Sequence, residues 1–316
     1  MPLDPVLVPI LEAINAAVPQ QEGLTVAELR AETHEMMNMS FIALGGEVEP
    51  VANIEDMRVP VTDGEITVRV YTPAGTGPFP AHVYIHGGGF WLGTLEHFDG
   101  ACRSIANAAE CVVAAVDYRL APEHKFPIAP EDCYAALEWV AREAATLNVD
   151  PARISVGGAS AGGNLAAVVA LMARDRGGPP LVLQVLDIPV TDLTMSQPSI
   201  TENGEGYMLT KEGCAQYVSY YLDDPTDATH PYASPFFADD LRDLPPALVT
   251  TAEFDPLRDE GEAYAERLRA AGVPTDFKRM DGHIHGSMGF TSLMPSAVEQ
   301  HRRTIAAIRT ANGMEA

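Results

Sequence analysis

Val156-Gly157-Gly158-Ala159-Ser160-Ala161-Gly162-Gly163-Asn164 holds a serine between glycines where an apolar strand meets an apolar helix. Ile154-Ser155-Val156 reads as a short buried strand after the Asp150-Pro151 turn, and Leu165 to Ala173 has the apolar density of a buried helix. In that setting the G-x-S-x-G of Gly158 to Gly162 predicts a reversal so sharp that its flanking positions must be small. Such a reversal leaves the serine hydroxyl exposed at the carboxyl edge of a sheet, as a nucleophile. Phosphate-loop readings of the same glycines fail. Asn164-Leu165 stands where a Walker sequence needs Lys and Ser/Thr, and no G-x-G-x-x-G can be laid over them.

Outward from this turn, strands and helices alternate. His82-Val83-Tyr84-Ile85 is a strand running into His86-Gly87-Gly88-Gly89-Phe90-Trp91, followed by helix 99–109, strand 111–116 and helix 130–147. Strand 153–157 and helix 161–175 carry the serine, and strands 181–186, 247–252 and 275–280 follow, with helices 259–272 and 296–311. Residues 54–71 alternate around Asp63-Gly64 as a β-hairpin. The pattern predicts an α/β fold: a mostly parallel, doubly wound sheet with helices on both faces. Two segments lie outside it. One is the N-terminal 1–50, with helices at 3–17 and 25–43; the other is a Pro/Ser/Gly-rich insertion, 190–240, with an amphipathic run near 210–222. An insertion there sits over the carboxyl ends of the strands, where open α/β sheets bind ligands, so both segments are expected to form a helical cap over a catalytic unit of 51–316.

Composition bounds the function. Of 316 residues, 47% are hydrophobic and 20% charged, an ordinary globular balance without repeats or a membrane-spanning run. The 20 basic against 44 acidic residues give a formal charge of −24, which opposes nucleic acid and anionic membranes and suits a neutral or cationic substrate. Met1 to Ala17 lacks a basic region and carries Asp4, Pro5 and Pro9, unlike a signal peptide, so a cytoplasmic location is expected. Cys102, Cys111, Cys133 and Cys214 are too sparse for a disulfide framework and are not spaced as a zinc site; they read as buried thiols. No metal or cofactor is implied, and a homodimer is left open.

A serine needs a base to take its proton, and the base needs an acid to orient it. In the chain order Ser, Asp/Glu, His, strand 247–252 delivers Asp255 just past its end, with Asp187 as the rival acid and Asp259 as a helix-start residue. The last strand ends in Asp281-Gly282-His283-Ile284-His285-Gly286. His285 is preferred to His283 because the glycine and apolar segment after it let the loop fold back over the site. His86-Gly87-Gly88-Gly89 offers backbone donors that can approach an oxyanion closely, and the N–H of Ala161, at a helix N-terminus, adds another. The remaining His34, His82, His97, His230 and His301 read as structural.

His86-Gly-Gly-Gly-Phe-Trp91, Asp117-Tyr-Arg-Leu-Ala-Pro-Glu123, Gly158-Ala-Ser-Ala-Gly-Gly163 and Asp255-Pro-Leu-Arg-Asp259, in this order, resemble the hormone-sensitive-lipase family of microbial carboxylesterases, from about residue 55 to the end. The resemblance implies an α/β-hydrolase core with a helical cap, acting on short acyl esters through Ser160, Asp255 and His285, with Gly88, Gly89 and Ala161 as the oxyanion hole. It also implies structural roles for Arg119 and Glu123, and a bracing role for His86 under the glycine loop. One departure stands out: Ala159 occupies the place of the acidic residue common before the family's nucleophile. Trp91, Phe41, Met36 and Tyr207 are candidates for pocket lining. A non-catalytic small-ligand receptor on the same fold, and an amidase using the same triad, remain the competing readings.

Overall fold

The computed structural model describes residues 2–16, 23–44 and 48–315, apart from the side chains of 38–44. α1 (Leu7–Ala16) and α2 (Val26–Leu44) precede a hairpin of β1 (Asn53–Val61) and β2 (Gly64–Thr72). The hairpin pairs antiparallel from Asn53 opposite Thr72 to Val61 opposite Gly64, and the left-handed φ of 60° at Asp63 makes its turn. β3 (Phe79–Ile85), α3 (Asp99–Ala108), β4 (Val112–Asp117), α4 (Ile128–Arg142), β5 (Val149–Ala159) and α5 (Ala161–Arg176) follow. After β6 (Leu183–Asp187) the chain enters the insertion, with α6 (Ser199–Glu202) and α7 (Lys211–Tyr221). It returns through β7 (Ala247–Phe254), α8 (Arg258–Ala270), β8 (Thr275–Ile284) and α9 (Pro295–Ala311).

The sheet order is β1-β2-β4-β3-β5-β6-β7-β8. β1, β2 and β4 pair antiparallel in turn, and every pairing from β4 across to β8 is parallel. Helices cover both faces of the parallel part, so its strands read as unbroken apolar runs such as Val112 to Val116. Val83, Ile85, Ala114 and Val116 meet α4, α5 and α8 on one side, while Val113, Ala115, Val185 and Leu248 meet α3 and α9 on the other. α5 is buried at every position from Ala161 to Ala173. A helix apolar all round can only be a central one, and this one carries the serine at its head.

Several boundaries differ from the sequence expectation, among them the start of β5, at Val149 and not 153. Helix α4 ends at Arg142, with turns replacing its expected last residues. β8 continues to Ile284 instead of stopping at Met280, because a register shift against β7 between Ala252 and Phe254 absorbs the Asp281-Gly282 break. The Gly282 carbonyl also accepts the N–H of Asp4 at 3.0 Å, tying the N-terminal segment to this edge.

The insertion is anchored at its root. The buried Glu260 carboxylate accepts the N–H groups of Thr191 and Asp192 at 2.7 and 3.2 Å, and the Glu260 carbonyl accepts the Thr191 hydroxyl. α1 packs Leu7 and Leu11 with Ile284, Met294 and Tyr207, so the N-terminal helix and the insertion meet beside the end of β8.

Candidate active site

Gly158 and Gly162 hold the β5–α5 reversal against the end of β3. A Cβ on either would run into the Ile85 carbonyl, and one on Gly162 would also lie 2.6 Å from the His86 oxygen. Ser160 itself takes φ 58° and ψ −120°, a conformation few side chains adopt, which costs about 1–3 kcal/mol and is held by its surroundings. Its N–H donates to the Asp187 carbonyl at 2.9 Å, and its carbonyl accepts the N–H of Asn164 and of Val190.

The serine Oγ lies 3.0 Å from His285 Nε2, and His285 Nδ1 lies 2.8 Å from Asp255 Oδ2. Asp255 is 1% exposed, and its other oxygen accepts the Leu257 N–H at 2.9 Å. A buried carboxylate with both oxygens engaged orients an imidazole well. His283, Asp187 and Asp259 take no part in these two contacts. His283 is buried with Nδ1 on the Ser287 hydroxyl and Nε2 on the Ser296 hydroxyl, both at 2.8 Å, and burial holds it below the usual histidine range. Asp187 presents its main chain to Ser160, and among the described residues its Oδ1 meets no donor. Asp259 stands in the first turn of α8, where Oδ2 accepts the Ser199 N–H. A second Ser–His contact, His82 Nδ1 to Ser155 Oγ at 2.9 Å, lies inside the sheet between β3 and β5 with both residues fully buried. Among the described residues no carboxylate meets this histidine, and burial denies it access, so it is a packing contact.

The glycine loop comes up beside the serine. Gly88 and Gly89 have φ of 127° and 58°, and among the described residues neither N–H meets an acceptor. Ala161 is the first residue of α5, where an N–H has no partner within the helix and the dipole is positive. The loop is braced from below. His86 stacks between Tyr118 and Phe98 at ring separations of 4.3 and 5.7 Å, and the Tyr118 hydroxyl donates to the His86 carbonyl.

From above, α2 grips the same loop. Arg30 donates to the Trp91 carbonyl at 2.8 Å and the Ala121 carbonyl at 2.7 Å and pairs with both oxygens of Glu123, while His34 Nε2 accepts the Gly93 N–H. Arg119 instead binds Asp132 through two nitrogens and reaches the Thr62 carbonyl.

The pocket candidates separate. Trp91 is buried beneath α7, with Tyr217 and Tyr220 at 5.8 and 5.3 Å. Tyr207 packs on Phe254, Met36 is 52% exposed, and the Phe41 side chain lies outside the described residues. Two neighbours of the site were not legible in the sequence: the Tyr217 ring, which lies directly against Gly89, and the Met208 methyl beside Gly286. The amphipathic run at 210–222 was the only hint of the first. All four cysteines are buried and unpaired. Among the described residues no three His, Cys, Asp or Glu side chains converge to hold a metal ion, and no helix is long and apolar enough to cross a membrane.

A family model described as the α/β-hydrolase fold matches residues 82–289. The carboxylesterase NlhH of Mycobacterium tuberculosis is 40% identical over 98% of this chain and 96% of its own. An arylesterase of Saccharolobus solfataricus is 38% identical over 92% and 93%. Among solved structures, a hyperthermophilic esterase from Pyrobaculum calidifontis superposes with a TM-score of 0.93 at 45% identity, covering 98% of this chain and 99% of its own. The chain belongs to the α/β-hydrolase family, and within it to the microbial carboxylesterases of the hormone-sensitive-lipase kind, serine carboxylic-ester hydrolases.

Proposed function

We propose that the protein hydrolyses short-chain acyl esters at Ser160 through an acyl-enzyme. The observation that supports this reading is the unbroken Asp255–His285–Ser160 relay at 2.8 and 3.0 Å, with its hydroxyl beside two unpaired backbone donors. His285 takes the serine proton as Oγ attacks the ester carbonyl, and Asp255 stabilises the imidazolium that forms. The tetrahedral oxyanion is received by the N–H groups of Gly88, Gly89 and Ala161. His285 then protonates the departing alcohol, water repeats the sequence on the acyl-enzyme, and the acid leaves.

Residues 1–50 and the insertion 190–240 act as a cap in this reading, since α2 and α7 both reach the glycine loop. A cap resting on the loop leaves room for small acyl groups and suits esters of roughly two to eight acyl carbons. The four unpaired thiols fit a reducing cytoplasm. A series of p-nitrophenyl esters, run beside one matched amide, tests the substrate class. Falling kcat/KM beyond about eight carbons with little amide turnover is expected. Preference for long chains with activation at an oil–water interface, or amide turnover equal to that of the ester, would overturn it.

A further inference from the structure

Position 159, next to the nucleophile, is alanine, and the residue paired with it across the β5–β6 ladder is Asp187. The Asp187 main chain already holds the Ser160 N–H. Its side chain is only partly covered as a whole, yet Oδ1 is shut away from solvent and, among the described residues, meets no hydrogen-bond donor. An unpaired buried carboxyl oxygen is costly in any fold and calls for a reason. The groups that face it supply one. They are His285 and Asp255 from the loops after β8 and β7, Arg303 from α9 and Tyr84 from β3. β7 presents Thr250 beside it and α5 presents Gly163, neither of which titrates. Arg303 is itself paired with Asp276 at 2.7 Å, and His285, held by Asp255, weighs more on this carboxyl than Arg303 does.

We infer that Asp187 is a positioning residue of the esterase reaction, a carboxyl moved one strand over from the elbow, whose charge acts on His285 while its main chain holds Ser160. The inference rests on the triad reading above. When Asp187 is ionised, its charge stabilises the imidazolium that forms as Ser160 attacks; when it is protonated, that help is lost. Burial, the largest influence on it, pushes its carboxyl up to about 7, so the change of state falls within the working pH range. The charge of Asp187 beside the base then changes within the range over which kcat/KM is measured, and the acid limb has more than one step.

The pH profiles of four chains test this: wild type, Asp187→Asn, Asp187→Asn with Ala159→Asp, and Ala159→Asp alone. Asparagine keeps the main-chain bond to Ser160. It should give a single-step acid limb displaced to lower pH, with plateau kcat lowered roughly 3- to 30-fold. Returning the carboxyl to position 159 in the double variant should restore the broad limb and most of kcat. Ala159→Asp alone, with two carboxylates beside the base, should move the limb to higher pH, and it keeps the test alive if Asp187→Asn does not fold. An Asp187→Asn limb of unchanged shape, a kcat loss that relocation does not repair, or an unmoved limb in Ala159→Asp would overturn the inference. Organophosphate titration of each chain separates the two readings. Failure of wild type to bind one equivalent sinks the Ser160 assignment, whereas full titration with unmoved limbs sinks only the role of Asp187.

Discussion

Ser160 and His285 are separated by 125 positions in the chain, yet the hydroxyl of one lies 3.0 Å from Nε2 of the other. Neither local segment can produce that approach. It depends on β5 and β8 lying in one sheet with β6 and β7 between them, so that the loops at their carboxyl ends open onto the same crevice.

Replacing Ser160 with alanine should leave the fold intact, since its burial partners are main-chain groups. Ester turnover should fall by about three to six orders of magnitude, and covalent labelling by an organophosphate should disappear. Near-normal turnover in the variant would remove Ser160 from the reaction.

His285→Ala should abolish most activity, while His283→Ala should cost stability through its two serine partners and leave kcat within a few-fold of wild type per folded molecule. Asp255→Asn should fold and lose about four orders of magnitude in kcat through loss of imidazole orientation and charge stabilisation. Comparable kcat losses at both histidines would reassign the base.

Gly89 lies under α7, and a Cβ there would sit 2.6 Å from Cδ2 of Tyr217. Gly89→Ala should therefore displace the N–H proposed to receive the oxyanion and lower kcat by about 10²- to 10³-fold. Adding Tyr217→Ala removes the obstacle and should recover part of that loss, a non-additivity that a double-mutant cycle measures. Strict additivity would mean that the helix does not press on the loop.

Stability should fall as the medium is acidified. Burial lowers both His82 and His86 from about 6.5 to about 4 in the folded chain, so below the ordinary histidine value the unfolded chain binds more protons than the native one. Their contribution is complete above about 6.5 and is lost as pH falls through about 4. Urea midpoints measured between those limits should drop with pH, and His82→Asn should flatten the slope even where it lowers the midpoint. A slope unchanged by that substitution would assign the acid sensitivity to other groups.

Much of this protein is legible locally. The glycines around Ser160, the apolar strand before it and the apolar helix after it demand a tight reversal on their own, because a side chain at 158 would strike the backbone of Gly162. Alternating apolar runs predict the strands and helices to within a few residues, and one of the errors, the end of β8, arises where a bulge against β7 carries the strand past a glycine. That bulge depends on a partner strand, so no reading of residues 275–284 alone contains it.

The sequence by itself determined the strand-turn-helix that exposes Ser160, the alternation that makes a doubly wound sheet, and the short set of acids and histidines that can reach its carboxyl edge. These follow from steric limits and hydrophobic periodicity, which act over a few residues. Only the tertiary structure decided which acid meets which histidine, that Arg30 and Tyr217 bear on the glycine loop, and that Asp187 lies across from Ala159. Those relationships are set by the order of strands and the packing of distant helices, which depend on the whole buried surface and leave no mark in any one stretch of chain.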